Sequence, residues 1–181
     1  MDSTITTIKN SLASVVPAFI IEDNKSFEDQ TCTIYANRKA GMAGQDFLFV
    51  FEMDKTGNDK SVLQKIHESA RKYANSFYKM PKWLRFSCPN IISIFVSAQK
   101  LSDELTTWAE AHTRTMSGGE FHSIFMVDLA EKAIYGQGKS VAHVHGIPFT
   151  RSLEFKNIDP QNRAFYTVAS IADALFQNGP A

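Results

Sequence analysis

Apolar residues recur at helical spacing in four stretches of this chain, and at alternate positions or in unbroken runs between them. Ile5, Ile8, Leu12 and Val15 make the first helical stripe, which Ser3 or Thr4 can cap and Pro17 stops. Ala18 to Ile21 and Thr31 to Ala36 read as strands, followed by a turn-rich stretch, Arg38 to Gln45, with Gly41 and Gly44. Phe47 to Met53 is the strongest strand: Phe47, Phe49, Phe51 and Met53 share one face, while Leu48, Val50, Glu52 and Asp54 share the other. Both faces begin apolar, which predicts a central strand, and the two acids at its end break the pattern.

A second helix, capped by Asp59 or Ser61, runs to about Met80 with Val62, Ile66, Ala70, Tyr73 and Phe77 as its inward stripe, and Pro81 ends it. Ile91 to Val96 is nearly all apolar, as in a strand covered on both faces. A third helix starts at Leu101 or Ser102, turns Leu105, Trp108 and Ala109 inward, and stops at Gly118 and Gly119. Ser123 to Leu129 is another buried strand, and Ala133 to Tyr135 returns beside it as a hairpin partner. Gly136 to Gly146 is irregular and Phe149 to Phe155 an edge strand; Asp159 and Pro160 then open a last helix with Phe165, Val168, Ala169, Ala172 and Phe176 inward. The pattern predicts an α/β (α+β) fold: one domain over 1–181, a three-layer-like mixed sheet of about six to eight strands, and four flanking helices.

Composition narrows the function classes. Hydrophobic residues are 44% and charged residues 21% of 181, an ordinary globular balance that argues against disorder. Lys plus Arg equal Asp plus Glu at 19 each, so no overall field gathers nucleic acid or an anionic membrane. Basic residues between Arg71 and Arg85 do interleave with Tyr73, Phe77, Tyr78 and Trp83, but the simpler reading is a helix with aromatics inward and charges solvated. Cys32 and Cys88 lack CxxC spacing and read as reduced thiols. No run approaches the ~20 apolar residues of a membrane span and no leader pattern opens the chain, so a cytoplasmic location is expected.

Three constellations could carry chemistry. Glu52 and Asp54, with Lys55 beside them, occupy alternate positions at the end of a central strand, and two such carboxylates could hold Mg²⁺. The order helix, three strands, helix, strand up to residue 96 resembles in outline the core of the restriction-endonuclease-like nucleases. That resemblance implies a metal-binding acid near the second core strand, here Asp29, and an Asp/Glu-x-Lys on the third. This chain reads Glu52-Met53-Asp54, with Asp54 in the lysine slot and Lys55 one residue late. His143 and His145 have two-ligand spacing, with His122, Glu120 or Asp128 as possible thirds; a polar loop is the plainer account. Cys88 with His112 or His122 as base lacks any linking signal, Ser117 to Glu120 reads as a helix stop, and His67 and His112 read as surface or helix-packing residues.

By elimination, the sequence favours an interaction or accessory domain, non-catalytic or catalytically degenerate, without a cofactor. Its partner would be another protein or a second copy, and its candidate contact is Trp83, Leu84, Arg85 and Phe86. The alternative is a metal-dependent phosphodiesterase or nuclease using Asp29, Glu52 and Asp54 with Mg²⁺.

Overall fold

The computed structural model describes residues 2–14, 19–39, 44–79, 81, 88–111, 119–136, 139–142 and 160–178. Along them run α1 (Asp2–Ser14), β1 (Ile20–Phe27), β2 (Gln30–Lys39), β3 (Gly44–Glu52), α2 (Met53–Thr56) and α3 (Lys60–Ser76). Then follow β4 (Cys88–Ser97), α4 (Asp103–Ala111), β5 (Phe121–Asp128), β6 (Ala133–Gly136), β7 (Lys139–Ala142) and α5 (Pro160–Asn178). The strands form one seven-stranded sheet in which spatial order equals chain order, β1 through β7. β3, β4 and β5 are parallel, and antiparallel hairpins extend the sheet on both sides.

The layering follows from the two parallel steps. A parallel neighbour requires a crossover, and crossovers of one hand that advance in one direction lay their helices on the same face. α3 and α4 accordingly share one face, over Phe47, Phe49, Phe51, Ile91, Phe95, Ile124 and Met126. The other face, with Leu48, Val50, Ile92, Ile94, Phe125 and Val127, is covered by α1 and α5, which pack on each other. The α+β class, the mixed sheet and the two-sided burial of β3, β4 and β5 therefore agree with the expectation from the sequence. α1, α3, α4 and α5 are the four expected flanking helices; α2 is an additional single turn.

Several local expectations need correction. β1 extends through Glu22, Asp23, Asn24 and Lys25 to Phe27, a charged stretch that is a strand because it forms the outer edge of the sheet. Met53 faces the predicted core but begins α2 rather than ending β3. α3 ends at Ser76, and its inward stripe is rotated: Leu63, Ile66, His67, Ala70 and Ala74 are buried, whereas Val62 and Phe77 are 38% and 52% exposed. Asp59 does cap α3, accepting from the N–H groups of Ser61 and Val62. Gly136 to Gly146, expected to be irregular, contains β7, which pairs antiparallel with β6; its residues from 143 on and the edge strand expected at Phe149 to Phe155 lie outside the described residues.

One glycine is set by close approach. Gly44, at φ +140°, opens the parallel ladder opposite Cys88, and a Cβ there would stand 2.2 Å from the Cys88 carbonyl oxygen.

Candidate functional site

The parallel strands end together at one edge of the sheet, where Glu52, Ser97 and Asp128 terminate β3, β4 and β5. Because the strand order never reverses, this edge has no topological switch point to open a crevice. Asp128 closes part of it, accepting from the Leu101 N–H at 2.8 Å and the Glu131 N–H at 2.9 Å and so tying the start of α4 to the β5–β6 turn. Lys100 and Glu131 pair across the same junction at 3.0 Å.

Glu52 is the functional candidate that sequence reasoning placed best, but its surroundings differ from those expected. The strand stops there, so Asp54 is exposed in α2 instead of sharing Glu52's side. The single turn of α2 also returns Lys55 to Glu52, and its Nζ donates to Oε1 at 2.9 Å. Lys55, which a continuing strand would turn to the face opposite Asp54, is thus the carboxylate's partner, at the three-residue separation that puts side chains on one helix face. The Glu52 side chain is only 8% exposed, and its second oxygen, Oε2, is buried without a hydrogen-bond partner.

Asp29 is exposed in the two-residue turn between β1 and β2, at the same edge. No three His, Cys, Asp or Glu residues stand together as a metal site among the described residues, so Asp29, Glu52 and Asp54 do not form one. Trp83, Leu84, Arg85, Phe86, His112, His143 and His145 lie outside the described residues.

Sequence reasoning missed the buried polar groups on the two faces. On the α3 face, His67 Nδ1 lies 2.8 Å from Ser93 Oγ and its Nε2 lies 3.2 Å from His122 Nδ1. Of the two readings open for His67, surface or helix packing, the second holds: it is buried on α3 against β4 and β5. Serine, imidazole and a second imidazole in line have the connectivity of a nucleophile, base and orienting group. Ser93, however, is wholly buried in the middle of the sheet, so no substrate carbonyl reaches its Oγ, and the line acts to lock α3 to β4 and β5. Nearer the opposite edge, Arg71 donates from Nε to Glu120 Oε1 at 2.8 Å, and Asn75 holds the other Glu120 oxygen. Burial alone would lower the Arg71 pKa, but Glu120 and then Glu68 outweigh it and raise it above its ordinary value.

On the α1/α5 face, Asp46 accepts from Arg38 Nε and from Asn90 Nδ2, both at 2.9 Å, and the Arg38 guanidinium stacks 4.4 Å from the Phe19 ring centre. One signal could have revealed these groups: Ser93, Asn90 and Asp46 stand inside strands apolar on both sides, where a polar side chain has no solvent to face.

The two cysteines differ in exposure. Both are free thiols; Cys32 is buried, and burial pushes its pKa from 9.0 to about 12. Tyr35 nearby is raised in the same way, chiefly by burial. A raised pKa favours the neutral group in the folded state, so its contribution to stability is whole below the ordinary value and lost as pH climbs towards the folded one. Unfolding followed by denaturant is expected to show stability falling above about pH 9. At pH 8, a thiol-specific reagent is expected to modify the half-exposed Cys88 in the native protein and Cys32 only after unfolding. Equal rates at both would contradict this assignment.

No helix among the described residues is long and apolar enough to cross a membrane. No family model matches the chain, and neither the curated proteins nor the solved structures compared with it return a match.

Proposed function

We propose that this chain is a non-catalytic binding domain that acts through contact with another protein, with the Phe77 end of α3 at the centre of the contact surface. The observation that carries this reading is an anchored but uncovered aromatic. Phe77 is 52% exposed, yet its ring lies 5.5 Å from that of buried Phe47 and 5.3 Å from that of Tyr73. A rigidly backed aromatic loses little side-chain freedom when a partner covers it, which is why such residues dominate binding energies. The chain continues within ten residues into Lys82-Trp83-Leu84-Arg85-Phe86, whose mixture of aromatic, aliphatic and basic residues has the composition of an interface core. Supporting the non-catalytic reading, buried Ser93 bonds buried His67, and buried Glu120 bonds the partly exposed Arg71, two pairs that lock α3 to the sheet.

A photo-crosslinking phenylalanine analogue placed at Phe77, in the native cell, is expected to give a discrete protein adduct. The same analogue at the exposed Lys65 on α3 is expected to give none. An adduct of twice the chain mass identifies a second copy as the partner, and another mass identifies a different subunit. No adduct at Phe77, or the same adducts at both positions, would remove the support for this surface.

A further inference from the structure

Two imidazoles share one buried contact beneath α3. His67 is 1% and His122 7% exposed, their ring centres stand 5.3 Å apart, and His67 Nε2 lies 3.2 Å from His122 Nδ1. A hydrogen bond between two ring nitrogens needs one hydrogen between them. When both rings are neutral either can supply it, and when one proton is added the cationic ring donates to the neutral one. A second proton leaves no acceptor. Both nitrogens then carry hydrogens, and two positive charges face each other inside the core.

The charges around the pair, among the described residues, can balance a first proton but not a second. On α3, Arg71 stands one turn beyond His67 and Glu68 directly after it; before β5, Glu120 precedes His122 by two residues. Glu120 accepts from Arg71 and Asn75, and Glu68 also pairs with Arg71, so two acids set against one arginine leave a single negative charge. Lys65 and Lys72 of α3 are exposed. β4 supplies neutral Ser93, 2.8 Å from His67 Nδ1, with Ile91 and Phe95 on the same face. α4, on that face of the sheet too, carries Asp103, Glu104 and Glu110, none of them buried.

We propose that His67 and His122 form an acid-sensitive latch: the closed pair accepts at most one proton, so acidification releases α3 from the sheet. Opening exposes both rings to water, where each takes a proton near the ordinary histidine value of about 6.5. The open state then binds more protons than the closed one, and the docked helix loses stability as pH falls. Between pH 6 and pH 5 the open population is expected to rise at least about fivefold. Phe77 follows α3 and would move with it, but the latch does not rest on any partner binding there.

Ring-nitrogen NMR of the two histidines, combined with amide exchange on the intact chain, tests the latch between pH 7 and pH 5. The pair is expected to take up no more than one proton while α3 stays protected. Protection of Ile66 to Ala74, corrected for the intrinsic pH dependence of exchange, is expected to fall at least about fivefold from pH 6 to pH 5 relative to that of Ile92 to Phe95. His122→Asn keeps a polar atom near the place of Nδ1 and leaves one ring to protonate, so its relative protection is expected to change less than about twofold over the same interval. The proton count on the unaltered chain holds whether or not that variant folds. Two imidazoliums beneath a still-protected α3, protection of α3 that falls no faster than that of the sheet, or a fivefold fall that persists in His122→Asn overturns the proposal.

Discussion

Asp46→Ala is expected to destabilise the fold by about 4 kcal/mol, lowering the melting temperature by about 8–16 °C for a domain of this size. Arg38 and Asp46 expose only 6% and 0% of their side chains. Removing the carboxylate therefore leaves a guanidinium buried against Phe19 without its charge partner, and deprives Asn90 of the oxygen its amide donates to. The cost lies in the stranded charge more than in the lost bond. It follows that Arg38→Met, added to Asp46→Leu, should recover most of the loss, because two apolar side chains of similar size satisfy the same space. Denaturant midpoints of the single and double variants decide the matter: a loss below about 1 kcal/mol for Asp46→Ala would show that water reaches Arg38.

Glu120→Ala is expected to cost about 3 kcal/mol, somewhat less because Arg71 keeps Glu68 and part of its side chain reaches solvent. The effect should also be local. Glu120 precedes β5 and grips Arg71 and Asn75, so it fastens the last two turns of α3 to the sheet. Amide exchange in the last two turns of α3 is expected to accelerate well before that of Ile92 to Phe95. A double-mutant cycle of Glu120→Ala with Arg71→Met should return a coupling of about 2 kcal/mol. Additive losses, or exchange that quickens equally throughout the sheet, would show that the ion pair does not fasten the helix.

Legibility in the sequence divides along physical lines. β3, β4 and β5 are readable because both faces are covered, which imposes a fully apolar run on Phe47 to Phe51 and on Ile124 to Val127 and one broken only by Ser93 on Ile91 to Val96. β1 is readable only at its start, Ile20 and Ile21, because an edge strand tolerates Glu22, Asp23 and Lys25, which do not continue an apolar pattern. The face of α3 was misjudged by about one residue step. Its core position at His67 is polar, and what makes that burial tolerable lies 26 and 55 residues away, in Ser93 and His122. Periodicity weighs each segment alone and cannot count a partner that distant in the chain. Glu52 was found because it interrupts an apolar pattern; the return of Lys55 was not, because a one-turn helix such as α2 is too short to show a period.

The pairing of α1 with α5 has a consequence for how the protein is made. Synthesis delivers the seven described strands and the α3/α4 layer before residue 160 emerges, so Leu48, Val50, Ile92, Ile94 and Phe125 await the cover that α5 supplies. α1 is present from the start but covers only part of that surface and packs chiefly against a helix that does not yet exist. A nascent chain stalled short of α5 is therefore a sticky, half-roofed sheet, the kind of species on which chaperones act. Docking of α5 is the event that covers this face.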